Sequence, residues 1–116
     1  MALTINQIHP VFAGEVSGVD LTKPLSRDEA AAIEEGMNRY GVLVFRDQNI
    51  TDEQQIAFTK NFGDLEVKAK PGNIRKASES RLGAGIGDLS NLTKDGKIIE
   101  ADDRQWFFKL GDRLWH

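Results

Sequence analysis

The chain has 116 residues, a usual size for one folded domain, with 40% hydrophobic and 28% charged residues, an ordinary balance for a soluble globular protein. Its formal charge of −3 gives no overall basic field, which argues against a role in binding nucleic acid. The absence of cysteine excludes disulfides, thiolate metal sites and cysteine nucleophiles.

The N-terminus has no basic segment followed by an apolar run, so we do not expect it to be a secretory signal. No apolar stretch approaches the roughly 20 residues that a membrane span needs, and we expect a cytoplasmic protein without membrane contact. Residues 3–21 alternate loosely between apolar and polar side chains and are broken by Pro10, Gly14 and Gly18. This pattern predicts two short strands joined by turns.

Two capping boxes mark the starts of two helices. Ser26 and Glu29 can exchange hydrogen bonds across the first turn, and Gly41 can end the helix that runs from about Ser26 to Tyr40. The apolar run Val42–Phe45 predicts a strand that is buried on both faces. The second box, Thr51–Gln54, begins a helix that reaches about Asn61 and is closed by Phe62 and Gly63.

The character of the sequence changes between residues 64 and 87. This segment has little periodicity, and its length is typical either of a functional loop or of disorder. Its basic residues are Lys68, Lys70, Arg75, Lys76 and Arg81. The alternating Gly83, Gly85 and Gly87 are not followed by a helix pattern, which argues against a nucleotide-binding loop.

The last third of the chain predicts a hairpin and an aromatic cluster. Residues 86–93 are expected to form a strand, residues 94–96 its turn and residues 97–99 the returning strand. Trp106, Phe107 and Phe108 are expected to pack a long loop against the core.

Only two histidines are present, and the residues alone do not assign a reaction. His9 precedes Pro10 in a turn, where a surface or packing role is expected, and His116 by itself is ambiguous. No serine can be matched to them by spacing, so a Ser-His-Asp set is excluded. Because chain termini usually carry a polar, frayed tail, we expect the natural protein to continue past His116. Composition and spacing indicate a soluble α/β domain that is truncated.

Three stretches resemble the taurine dioxygenase and 2,4-dichlorophenoxyacetate dioxygenase family. The first runs from His9 to Leu21 and is similar to the opening strand pair of that family. The second, Val42–Gln48 followed by residues 54–66, matches the family's strand, turn, helix and Phe-Gly-x-Leu-Glu motif in order and spacing. The third joins Leu89-Ser-Asn91 and Asp95-Gly-Lys97 to a terminal Leu-Trp-His, and it leans towards the aryloxyalkanoate branch.

The resemblance implies an α+β chain forming the N-terminal portion of a double-stranded β-helix, or jelly roll. It implies Fe(II) as cofactor and 2-oxoglutarate as co-substrate, with O₂ used to hydroxylate a small anionic acid while 2-oxoglutarate becomes succinate. In this family the iron is held by two imidazoles and one carboxylate. His116 would be the first ligand. Its aspartate partner, two residues on, would lie past the end of the chain, so this chain alone is predicted to be inactive.

The resemblance also implies that Asn91, Lys97, Lys68 and Lys70 contact the anionic substrate, and that the enzyme is a homo-oligomer, a dimer or a tetramer. Where taurine dioxygenase has a histidine and a tyrosine, this chain has Lys68 and Pro71, which makes taurine a doubtful substrate. Two alternatives remain open: a non-catalytic truncated module, and an anion-binding protein that uses the basic segment 68–81 without iron.

Overall fold

The computed structural model of the chain describes residues 2–66, 80–83 and 85–108. The chain divides into two compact units, Met1–Leu65 and Glu66–His116. No helix in the described residues is long and apolar enough to cross a bilayer.

The first unit is built on a three-stranded mixed sheet in the order β1-β2-β3. Strands β1 (Thr4–Gln7) and β2 (Gly14–Ser17) are antiparallel, which confirms the two predicted N-terminal strands. Strand β3 (Leu43–Phe45) is parallel to β2, with Val16 opposite Phe45. Parallel neighbours need a crossover connection. The first helix of the chain supplies it.

Helix α1 (Arg27–Tyr40) begins and ends at the residues that the sequence predicts. The Ser26 Oγ accepts a hydrogen bond from the Glu29 amide at 3.1 Å, and the Ser26 amide donates to the Glu29 carboxylate at 2.8 Å. At the other end, Gly41 adopts a positive φ of 75° and its amide donates to the Met37 carbonyl. Glycine adopts this conformation without the strain that a Cβ would cause.

Helix α2 (Asp52–Thr59) repeats the same start, and a single turn of 3₁₀ helix, Lys60–Phe62, continues it. The Thr51 hydroxyl accepts from the Gln54 amide at 3.2 Å, so the second predicted capping box is confirmed. Phe58 packs edge-on against Phe45 of β3, with the ring centroids 5.7 Å apart. This aromatic contact fastens α2 to the end of the sheet.

The core of the first unit lies where α1 crosses the sheet. Its buried apolar residues are Ala13, Val16, Leu21 and Ile33. Two glycines permit a close approach: a Cβ on Gly14 would stand 2.7 Å from the Ile5 Cγ2, and one on Gly36 of the helix would overlap the Ile5 side chain. Contacts this short do not occur between real side chains, so α1 can rest on the sheet only at small residues.

The prediction that Val42–Phe45 is buried on both faces is wrong for the described chain. Val42 is 45% exposed, and the residues of β3 are only half-buried. Within the described residues β3 is the last strand of the sheet, so one edge has no neighbouring strand. A continuous apolar run therefore identified the strand correctly but not its degree of burial.

The second unit contains a tight antiparallel turn and a short helix. A single bridge joins Leu92 to Ile98, and the predicted turn Lys94–Gly96 is confirmed, with Gly96 at a φ of 78°. The predicted strand over residues 86–93 is wrong, since pairing is confined to that bridge and its flanking hydrogen bonds. Helix α3 (Arg104–Phe108) follows.

The aromatic cluster of the second unit is also arranged differently from the expectation. Trp106 and Phe107 lie in α3, where Trp106 is half-buried and Phe107 is 66% exposed. Successive side chains on a helix point about 100° apart, so adjacent aromatic residues cannot all face one core. Gln105, which directly precedes Trp106, is buried in this helix.

Candidate functional site

Two of the residues predicted to bind substrate, Asn91 and Lys97, lie on the same tight turn of the second unit. We call residues 91–99 the 91–99 turn. The Ile99 amide donates to the Asn91 carbonyl at 2.8 Å, and the Thr93 amide donates to the Lys97 carbonyl at 2.7 Å. These bonds flank the Leu92–Ile98 bridge and fix the register of the two arms.

The register determines which side chains share a face of the 91–99 turn. Asn91 is opposite Ile99, and Thr93 is opposite Lys97, one position on either side of the bridge. Because side chains alternate between faces along extended chain, these four residues lie on one face, and Leu92 lies on the other. Asn91 and Lys97 thus lie on the same face of the turn, and their role in binding substrate stays a prediction.

Burial differs along this face of the turn, and the polar groups lie on its accessible part. Ile99 is 5% exposed and anchors the end of its arm, whereas Lys97 on the same arm and Asn91 on the other are both exposed. The Lys97 ammonium forms no ion pair with any residue in the described part of the chain. An unpaired ammonium beside an amide can provide a charge and a directed donor to a carboxylate or a sulfonate.

An ion pair that the sequence did not predict precedes this turn. Arg81 approaches Asp88 through two nitrogens: Nε is 3.3 Å from Oδ2, and Nη2 is 3.3 Å from Oδ1. The side chain of Asp88 is only 7% exposed. Asp88 stands three positions before Asn91, and a segment without periodicity gives no spacing signal that would have paired it with Arg81.

Three other predicted site residues lie outside the described residues. They are Lys68, Lys70 and the predicted metal ligand His116. Among the described residues there is no group of three or more His, Cys, Asp or Glu side chains that could hold a metal ion. The described part of the chain therefore does not test the iron site, and the role of His116 stays a prediction.

His9 makes the local packing contacts that the sequence indicates. The His9 Nδ1 accepts a hydrogen bond from the Val11 amide at 3.2 Å, and its ring lies 4.7 Å from that of Phe12. Both contacts are local, and both support the turn between β1 and β2. His9 is exposed and has no role in the candidate site.

Charged groups with shifted pKa values lie in the first unit. The Thr22 hydroxyl and then the Thr22 amide donate to Asp20 and lower the pKa of its carboxyl below the ordinary 3.8. Glu15 accepts from the Arg46 Nε at 2.6 Å and raises the pKa of that guanidinium. Both pairs are exposed, and each stabilises a loop or a strand pairing without pointing to a reaction.

A surface groove of about 320 Å³ is present in the first unit between the loop before α1 and helix α2. None of the predicted site residues lines it. Its wall consists of Leu21, Thr22, Lys23, Pro24, Leu25, Glu53, Gln54, Ala57, Phe58 and Asn61.

Comparison with known proteins identifies a matching family and several similar relatives. The model for the family described as taurine catabolism dioxygenase TauD, TfdA matches residues 4–110. The chain is 36% identical, over 121 residues, to the alpha-ketoglutarate-dependent 2,4-dichlorophenoxyacetate dioxygenase of Cupriavidus pinatubonensis; the match covers 100% of this chain and 40% of that protein. It is 33% identical to the (S)-phenoxypropionate/alpha-ketoglutarate-dioxygenase of Sphingobium herbicidovorans, over 87% of this chain and 35% of that one.

Solved structures of dioxygenases also match the chain. The crystal structure of AAD-2 in complex with Mn(II) and N-oxalylglycine matches 100% of this chain at 50% identity and a TM-score of 0.84, and the match covers 40% of AAD-2. A taurine dioxygenase from Burkholderia xenovorans matches 53% of this chain and 22% of its own, at 35% identity and a TM-score of 0.52. The chain therefore spans about 40% of the length of its first relatives.

Proposed function

Because the chain belongs to the TauD/TfdA family of dioxygenases, we propose that it forms the N-terminal part of an enzyme that uses iron(II) and 2-oxoglutarate to hydroxylate a small anionic organic acid. The observation that carries the proposal is the match of 100% of the chain to a relative that is named as a 2,4-dichlorophenoxyacetate dioxygenase. An aryloxyalkanoate or a related acid is thus the substrate class that the similarity favours over taurine.

The described residues can contribute to binding such an acid. Lys97 and Asn91 share one face of the 91–99 turn, so an ammonium and an amide can meet one carboxylate. The lysine would attract the acid as a point charge, and the asparagine would give direction through its amide. Lys68 and Lys70 are proposed to add positive charge to the same substrate.

The iron site is proposed to begin at His116. In this family, a histidine and an aspartate two residues apart on a strand point to the same side, so both can bind one metal together with a distal histidine. When bound, the iron would activate O₂, of which one oxygen atom would convert 2-oxoglutarate to succinate and CO₂ and the other would hydroxylate an unreactive C–H bond of the acid. The residues of this chain would hold the acid beside it, and for an aryloxyalkanoate the hydroxylated product would break down with cleavage of the ether.

The architecture of the whole protein is part of the proposal. The mixed sheet and helices of residues 2–66 would form the outer part of a jelly roll whose metal-binding strands lie further along the chain. A dimer or a tetramer is the proposed assembly, and the chain alone is proposed to lack activity because one imidazole cannot hold iron in the geometry an oxygenase needs.

The test is an activity assay on the full-length protein with Fe(II), 2-oxoglutarate, O₂ and a panel of aryloxyalkanoic acids and sulfonates. We expect one succinate for each acid hydroxylated, and no succinate when iron is removed by a chelator. Turnover that continues without metal would contradict the proposal.

A non-catalytic module and an iron-independent anion-binding protein are the rival functions. Extending the gene sequence past codon 116 separates the first of them: threonine or serine followed by aspartate supports the enzyme, and a stop codon supports the module. Binding of the acid with unchanged affinity in the absence of both iron and 2-oxoglutarate, without turnover in their presence, would favour the anion-binding protein.

A further inference from the structure

The Arg81–Asp88 pair differs from the other ion pairs in the described residues by its burial. Its side chains are 32% and 7% exposed. The other pairs lie largely in solvent, with exposures of 77% and 50% for Lys23–Asp20 and of 62% and 32% for Arg46–Glu15. A carboxylate that is taken out of water loses hydration, and its partner must be well oriented to compensate.

The geometry of the pair is selective for arginine. Two different nitrogens of Arg81 reach the two oxygens of Asp88, each at 3.3 Å. A guanidinium is planar and presents its donors in a fixed fork, so this arrangement sets the orientation of the carboxylate as well as its distance. A lysine could supply the charge but only one point of contact. The pair therefore restricts how the backbone at Asp88 is directed.

The position of Asp88 connects this restriction to the candidate site. Asp88 lies three residues before Asn91, and at the far end of the 91–99 turn the buried Ile99 holds the returning arm. The segment from Asp88 to Ile99 is thus anchored at one end by an ion pair whose carboxylate is 7% exposed and at the other by a buried apolar side chain. Between these anchors Asn91 and Lys97 are exposed, and they share one face.

We propose that Arg81 and Asp88 are positioning residues that orient the 91–99 turn so that Lys97 and Asn91 meet the anionic group of the substrate. This proposal rests on the function proposed above. Neither residue of the pair touches the acid. Loss of the pair would leave both polar groups present but badly directed, which weakens substrate binding more than it slows the chemical step.

The test compares Arg81→Lys, Asp88→Asn and the exchanged pair Arg81→Asp with Asp88→Arg in the full-length protein. For Arg81→Lys we expect KM for the acid to rise about tenfold, while kcat and KM for 2-oxoglutarate change less than about twofold. Asp88→Asn should do the same or more, and the exchanged pair should recover part of the loss. Asp95→Asn, which removes an exposed carboxylate from the same turn, is the matched control and should leave KM unchanged.

Hydrogen exchange supplies a readout that does not depend on activity. The Ile99 amide, which donates to the Asn91 carbonyl, should exchange faster in Asp88→Asn than in wild type or Asp95→Asn. Unchanged exchange at Ile99, or an active Arg81→Lys enzyme that unfolds more easily but keeps its KM, would overturn the positioning role alone. A wild-type protein without iron-dependent turnover would instead overturn the proposed function, and this inference with it.

Discussion

At the scale of single residues, the candidate site shows what a sequence can specify and what it cannot. Lys97 and Asn91 could be selected from the resemblance, and the turn between them could be predicted because Lys94-Asp-Gly96 is a strong local signal. The Arg81–Asp88 contact could not be predicted. The two residues are seven positions apart in an irregular segment, and no helix or strand period there would indicate that they are in contact.

Lys97 is the residue whose replacement should affect substrate binding most directly. A charge-assisted hydrogen bond contributes about 1.5–3 kcal/mol, so Lys97→Ala should raise KM for the acid about tenfold or more. Lys94→Ala is the control, since Lys94 is an exposed lysine of the same turn. Steady-state kinetics of the full-length enzyme measures both, and equal effects of the two variants would remove Lys97 from the site.

Asp20 allows a pH prediction at the same scale. Its pKa in the folded chain lies below 3.8 because the Thr22 hydroxyl and amide donate to it. The bonds therefore stabilise the fold above the unfolded-state pKa, and this contribution is lost as the pH falls through the lower, folded-state pKa. Thr22→Val keeps the amide bond but removes the hydroxyl, so an NMR titration should show the Asp20 pKa rising part of the way towards 3.8. An unchanged value would show that the hydroxyl has no effect.

At the scale of secondary-structure elements, local signals predicted the structure well and non-local ones did not. Both helix starts were correct because a capping box closes within four residues. The prediction of a strand over residues 86–93 was wrong because a strand depends on a pairing partner, which the local sequence does not specify. Helix α3, with five residues, is too short to produce a detectable periodicity.

The capping box of α1 gives a stability prediction. Ser26→Ala removes the hydroxyl that accepts from the Glu29 amide, and it should lower the free energy of unfolding by about 1 kcal/mol. Ser26→Asp keeps an acceptor and places a negative charge at the helix N-terminus, so it should keep most of the wild-type stability. Urea unfolding measures the difference. Equal midpoints for wild type and Ser26→Ala would show that the cap adds nothing.

At the scale of the whole molecule, the close approach of α1 to the sheet and the aromatic contact of α2 were not visible in the sequence. Gly36 interrupts a helix where alanine would be the better helix former, and only its position against Ile5 explains it. The expectation of a jelly roll rests on resemblance, because the sheet formed by the described residues of the first unit has three strands. The periodicity of these 116 residues cannot predict strands that would lie further along the full-length protein.

If this chain carries the first ligand of an iron site, the iron content of the purified full-length protein should depend on His116. The two histidines provide a matched pair of variants. We expect about one iron per chain in wild type and in His9→Ala, and little or none in His116→Ala, because the site needs two imidazoles and a carboxylate. Full iron content in His116→Ala, or a wild-type protein that binds no iron, would contradict the account.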